Sequence, residues 1–219
     1  MPREDFERNL QFVQDEVVQL SSMVEKSIFS SIDALKNRDL ESSQRVIDDD
    51  DAIDAKQQSI EDFCIELIAL ESPMAVDLRS IIAAMMVANE LERMGDYAEG
   101  IAKISLLMGE VAPLKPLIDI PRMADKSADM LRRSIDSYVN RDVDAAYKVW
   151  EDDDEVDEIY NQVYRELLTF MLADPTTIQR ATYLLWVAHD LERVADRTTN
   201  IAERVIFLVT GKADPPRLN

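Results

Sequence analysis

Leu91-Glu92-Arg93-Met94-Gly95-Asp96 returns 100 residues later as Leu191-Glu192-Arg193-Val194-Ala195-Asp196, and the likeness runs on through Ile101-Ala102 and Ile201-Ala202. Towards the N-terminus the correspondence holds at a slightly larger step. Ser31-Ile32-Asp33, Asn37-Arg38-Asp39 and Asp50-Asp51-Ala52-Ile53-Asp54 reappear 103 residues on as Ser134-Ile135-Asp136, Asn140-Arg141-Asp142 and Asp153-Asp154-Glu155-Val156-Asp157. A loss of three residues from the second half, in a turn between Asp157 and Glu192, accounts for the change of step. A period of about 100 residues is too long for a solenoid unit. It predicts a duplicated domain with both halves in the same order.

Turn-forming residues give the element count. The first half breaks at Asn37-Arg38-Asp39, at Ser72-Pro73 and through Glu110–Pro116; the second breaks at Asn140-Arg141-Asp142 and Asp174-Pro175, and ends at Gly211, a natural helix C-cap. The stretches between have helical spacing and run to roughly 20–35 residues, so each half reads as three helices. Segment 76–108 alone would span about 50 Å at about 1.5 Å per residue. Long helices joined by short turns pack antiparallel. The expected fold is therefore all-α, six long helices in two tandem, pseudo-symmetric three-helix bundles. Residues 1–110 form the first bundle, 111–121 a linker, 122–211 the second bundle and 212–219 a solvated tail.

Composition narrows the function. Of 219 residues 44 are Asp or Glu and 24 are Lys or Arg, a net charge of −20, which repels a phosphate backbone and argues against nucleic-acid binding. The single Cys64 excludes a disulfide framework and a Cys-based zinc site, and the single His189 excludes a symmetric ferritin-type di-iron site. No run of about 18 apolar residues is present, and the charged start MPREDFERN lacks a signal peptide's apolar stretch. A cytoplasmic protein is expected.

The informative anomaly is acidic. The apolar seam of the second helix steps through Val46, Asp50, Ile53, Gln57, Ile60, Cys64 and Leu67, and in the other half through Val149, Asp153, Val156, Tyr160, Val163 and Leu167. In both copies an aspartate takes a seam position, and a second, Asp54 or Asp157, follows four residues later, about 40° round the same face. The third helix repeats the device with Glu92 and Asp96, and with Glu192 and Asp196. Like charges so spaced cost about 0.2–0.5 kcal/mol per pair on an exposed helix, and more away from water. Arg93 and Arg193, each three residues before an aspartate, offer intrahelical salt bridges as one remedy. A metal is the other: a carboxylate site suits Mg²⁺, Mn²⁺, Ca²⁺ or iron. One acidic pair is ordinary on a solvated helix; four pairs at matched positions, two of them interrupting the seam in the same step, favour metal binding.

Other residues read more simply. His189 and Asn200 lie on the Glu192/Asp196 face, but Asn89 and Gly100 stand at the matching positions, so His189 is expected to be structural. Met85, Met86, Met94 and Met108 read as core filler, Cys64 as a small buried hydrophobe, and Trp150 and Trp186 as packing residues.

Ala75-Val76-Asp77-Leu78-Arg79 leading into the Leu91–Asp96 stretch, with the Leu191–Asp196 stretch followed by Thr199-Asn200-Ile201-Ala202-Glu203, resembles the PhoU family. These proteins are accessory regulators of bacterial and archaeal phosphate uptake. The resemblance covers nearly the whole chain, duplication included; Thr177-Ile178-Gln179 departs from the pattern where the first half has Asp77-Leu78-Arg79. It implies multinuclear metal clusters, commonly iron, with manganese, magnesium, zinc or calcium as alternatives, on an E/D-x-x-x-D motif. That motif falls on Asp50 and Asp54, Glu92 and Asp96, Asp153 and Asp157, and Glu192 and Asp196. It also implies a non-enzymatic, cytoplasmic homodimer that restrains the phosphate ABC transporter through its nucleotide-binding subunit and, in bacteria, helps silence the phosphate-sensing histidine kinase. Such a protein reaches the membrane only through its partners. A metal-dependent enzyme of phosphohydrolase or oxidase type is a second reading. Against it, the sequence shows no nucleophile–base pair and no phosphate-cradling Gly loop. A metal-free helical adaptor is a third.

Overall fold

A computed structural model describes residues 3–212, so the first two residues of the expected first bundle and all of the expected tail after Lys212 lie outside the described residues. Helices α1 (Arg3–Asn37), α2 (Leu40–Glu71) and α3 (Val76–Met108) form the first half. The second is built of α4 (Asp119–Asn140), α5 (Val143–Glu151), α6 (Asp153–Ala173), a 3₁₀ turn (Pro175–Thr177) and α7 (Ile178–Thr210). The described residues contain no strand. The three-residue loss falls at the second hairpin turn, where the four residues from Asp174 to Thr177 stand in for the seven from Glu71 to Asp77.

The repeated Asn-Arg-Asp corners show how one local sequence sets one geometry twice. Arg38 (φ 56°) and Arg141 (φ 55°) take the left-handed conformation that ends the preceding helix. Asp39 and Asp142 then cap the next one, their carboxylates accepting the backbone N–H of Ser42 at 2.9 Å and of Ala145 at 3.0 Å. Each cap satisfies an otherwise orphaned helix N–H, worth about 1 kcal/mol. At the far end Gly211 (φ 72°) closes α7, its N–H donating to the Phe207 carbonyl at 2.8 Å.

Helices α3 and α7 run at the centre of the molecule and pack on each other more extensively than any other pair, with α1 and α2 on α3, and α4, α5 and α6 on α7. Both central helices carry small buried side chains: Ala84, Ala88, Ala98 and Ala102 on α3 and Ala181, Ala188, Ala195 and Ala202 on α7. Leu20, Ile28, Leu91 and Met94 of the first half and Met123, Leu131, Leu167 and Leu191 of the second join one continuous apolar core. Cys64 is fully buried within it, as the seam required.

Four readings are corrected. The fifth long helix is divided: Asp152 ends α5 with ψ at −9°, and α6 starts at Asp153. Helix α4 begins at Asp119, inside the stretch read as linker. Met86 (40% exposed) is a surface residue rather than core filler, and Trp150 (37%) and Trp186 (49%), read as packing residues, lie at the surface, Trp186 resting on Tyr183 with ring centroids 5.7 Å apart. Asn200 faces the other half, not the acidic face: its Nδ2 donates to Glu90 Oε2 at 3.0 Å.

Candidate metal centre

Because α2 packs on α3 and α6 on α7, the acidic pairs of neighbouring helices meet. In the first half Asp50 and Asp54 of α2 and Asp96 of α3 each bring a carboxylate oxygen within 4.8 Å of the others. Oxygens around one cation at about 2.1–2.5 Å are separated by about 3–5 Å, so the three are placed to share an ion. Asp50 is only 7% exposed, and its Oδ1 is buried with no hydrogen-bond partner. Burial, followed by the charges of Glu99, Asp54 and Asp96, pushes its pKa to about 7. Glu92 and Asp96 are also raised, burial first, followed by Asp96 and Asp54 for Glu92 and by Asp54 and Glu99 for Asp96. An orphaned buried oxygen amid like charges fits a hard cation, which would satisfy the oxygen and neutralise its neighbours.

The second half assembles the same residue types differently. Asp153 Oδ1 is again buried without a partner, and burial followed by Asp196, Asp157 and Glu192 drives the Asp153 carboxyl to about 7. Asp157 and Glu192 are raised by burial and then by Asp196. Among the described residues, however, no three acids of this half converge as in the first. Arg193 occupies the position between them, with Nε 3.1 Å from Glu192 Oε2 and Nη1 2.9 Å from Asp196 Oδ2. The intrahelical salt bridge expected of both arginines forms only here; Arg93 makes no ion pair among the described residues. His189 is exposed, its Nδ1 3.5 Å from Glu192 Oε2, so it flanks this centre instead of being buried in the bundle.

Two groups escaped the sequence reading. Glu99, one turn after Asp96, adds its charge to Asp50 and Asp96 and pairs with Lys103 at 2.5 Å. The i+3 spacing was the available signal, masked because Thr199 stands at the matching position. The other is a clamp across the α3–α7 contact, where Arg197 Nη1 lies 3.3 Å from Glu90 Oε2 and Nη2 donates to the Tyr97 hydroxyl at 3.4 Å.

Two fused helical bundles, each presenting facing carboxylates on its second and third rods, define a class of duplicated, acid-faced all-α protein. The family model described as "PhoU domain" matches residues 17–105 and again 120–205. The chain belongs to the PhoU family. It is 42% identical over 198 residues to the phosphate-specific transport system accessory protein PhoU homolog of Caulobacter vibrioides, covering 90% of this chain and 86% of that one. It is 40% identical over 214 residues to the protein of the same name in Clostridium acetobutylicum, covering 97% of each. The crystal structure of PhoU from Pseudomonas aeruginosa superimposes with a TM-score of 0.89 at 31% identity, over 94% of this chain and 100% of that one. The phosphate transport system regulatory protein PhoU from Streptococcus pneumoniae gives the same TM-score at 30% identity, over 96% and 99%. No described helix is long and apolar enough to cross a membrane.

Proposed function

We propose that this protein is a cytoplasmic regulator that restrains inorganic phosphate uptake by docking on the nucleotide-binding subunit of the phosphate ABC transporter. In a bacterium it also helps keep the phosphate-sensing histidine kinase silent, and it works as a homodimer. It performs no catalysis. The support is the accessory role named for relatives that match the chain end to end, joined to one observation: the partnerless buried carboxylate oxygens of Asp50 and Asp153, each facing further acids across a helix pair.

Asp50, Asp54, Glu92 and Asp96 would hold metal in the first half, and Asp153, Asp157, Glu192 and Asp196 in the second, as a multinuclear cluster with iron as the first choice. Bound metal would supply positive charge that cancels the repulsion between the paired helices. These residues otherwise push α2 from α3 and α6 from α7; neutralised, they fix the helix spacing and with it the outer surface presented to the transporter.

The deciding experiment has two readings. Protein purified without chelator is analysed for metal by mass spectrometry, beside a variant with all eight acids changed to alanine. Several iron or manganese atoms per chain in the first and none in the second is the expected result; equal content in both overturns the site. Binding to the purified nucleotide-binding subunit, followed by calorimetry, is expected to weaken at least tenfold on chelation. Unchanged binding would leave an adaptor whose docking is independent of the carboxylates, and no binding at all would overturn the transporter role.

A further inference from the structure

The two centres differ at a position that faces their seam aspartates. A Cβ built on Gly95 would lie 3.1 Å from Asp50 Oδ1 and 3.0 and 3.3 Å from Cγ2 and Cδ1 of Ile53. Gly95 lies inside α3 and is absent from the positive-φ residues, so its backbone makes no demand for glycine. A glycine in a helix interior costs about 0.5–1 kcal/mol relative to alanine. What the missing methyl provides here is room: the orphaned oxygen of Asp50 sits in the space a side chain would take.

The second half has Ala195 at the matching position, fully buried. There the facing helix is interrupted at Asp152, so that Asp153 opens α6, whereas Asp50 lies within an unbroken helix. Asp50, Asp54 and Asp96 converge; no trio of the second half does so among the described residues, and Arg193 ties two of its acids together.

We propose that Gly95 is the positioning residue that makes the two carboxylate centres unequal. By letting α2 close on α3 it gives the first half the tighter metal site. Ala195 and Arg193 leave the second half the weaker one. The inference rests on the metal-binding reading above and adds an order of filling: the first half loads at lower metal concentration than the second.

The test is a Mn²⁺ titration of the chelator-stripped full chain, counting free ion by its EPR signal. D96N and D196N assign each class of site to its half. Wild type is expected to show two classes at least tenfold apart in affinity, the tighter abolished by D96N. G95A should weaken the tighter class at least tenfold and leave the D196N-sensitive class unchanged. A195G, which frees the matching space, should narrow the gap and decides the matter if G95A melts too low to titrate. Two equal classes in wild type, or a gap unaltered in both glycine–alanine variants, overturns the inference while the metal site stands. Wild type taking up no more Mn²⁺ than D50N/D153N sinks the metal-binding reading and this inference with it.

Discussion

The two halves descend the same path of helices with the same acids in the same order, yet the polar groups between and around them are wired differently. Across the α3–α7 contact, Glu90 is clamped by Arg197 and Asn200. Its mirror, Asp190, faces Gly100, where Asn200 has its counterpart, and makes no hydrogen bond or ion pair among the described residues. A Cβ on Gly100 would come within 3.1 Å of Asp190 Oδ2. Burial alone lifts the Asp190 carboxyl to about 7. Duplication thus preserved the packing, which is apolar and tolerant, while each polar contact went its own way, since a hydrogen bond needs both partners and dies with either.

Replacing Arg197 with methionine would break that asymmetry at its strongest point. The Glu90 and Arg197 side chains are 17% and 21% exposed, so Glu90 would keep a buried charge with only Asn200 to serve it. Removing one member of a well-buried pair costs about 3–5 kcal/mol; with this residual exposure about 2–3 kcal/mol is expected. For a chain of this size that lowers the melting temperature by roughly 4–10 °C. The mirror substitution D190N should do the opposite at pH 8, raising the melting temperature, because it removes an unpaired charge and abandons no partner. A destabilised D190N would mean that Asp190 has a cationic partner after all.

The next effect is a pH dependence carried by Asp50, Asp153 and Asp190, each lifted to about 7 in the folded chain. Their unfolded value lies near 3.8, so between pH 4 and 7 the folded state holds more protons than the unfolded one. Stability then falls as pH rises through that window. Chelator-stripped protein should melt at a higher temperature at pH 5.5 than at pH 8, and D50N/D153N should flatten the slope. A rising or level profile in the stripped wild type would contradict it. Stripped protein given Mn²⁺ should likewise lose the Asp50 and Asp153 share of the slope, because the ion supplies the charge that protons supply in its absence, and keep the share of Asp190, which lies outside both centres.

Residue patterns made the helical architecture readable because it rests on repeated local signals. The Asn-Arg-Asp corners, the seam spacing and Gly211 each act within one turn of helix, and each lies where it was expected. Asp50, Asp54 and Asp96, which meet in the first half, were legible for the same reason: Asp50 takes a seam position, and Asp54 and Asp96 belong to acidic pairs spaced four residues apart beside it. What was not legible depends on distance. Asn200 and Asp196, four residues apart on α7, are separated by only about 40° of rotation, too little for periodicity to say which neighbour each would face, and only the α3–α7 packing decides it. The division at Asp152 left no turn residue to find, since a comparable run of acids, Asp48–Asp51, passes through α2 unbroken.

A smaller effect separates the ends of the two bundles. In the first half the buried Ser43 hydroxyl donates to Ser105 at 2.8 Å. The matching residues of the second half, Ala146 and Val205, are buried and apolar. S105A should therefore cost no more than about 1 kcal/mol, since Ser43 loses one partner in a dry setting but keeps the Asp39 carbonyl at 3.1 Å. The double change S43A/S105V, which writes the second half's pair into the first, should return stability to within about 0.5 kcal/mol of wild type. Denaturant midpoints at unchanged slope measure both. A double variant worse than S105A would show that the first bundle is spaced for hydroxyls and not merely supplied with them.

The smallest effect lies on the outer faces. Arg133 of α4 reaches Asp129 at 2.8 Å and Asp152 at 2.5 Å, fastening α4 to the break between α5 and α6. Ser30 stands at the matching position in α1, where a cleft of about 540 Å³ lies open beside Ser27, Val46 and Ala52. Arg133 is 39% exposed, so R133S should cost no more than about 1 kcal/mol of global stability. Its local effect should be larger than its global one, because Asp152 carries no other ion pair among the described residues. Hydrogen exchange of the amides around Asp152 is therefore the measurement to make. Faster exchange there, with that of α2 unchanged, would show the arginine pinning the break in place; exchange equal to wild type would show that the division of the helix is held by the packing of α6 on α7 alone.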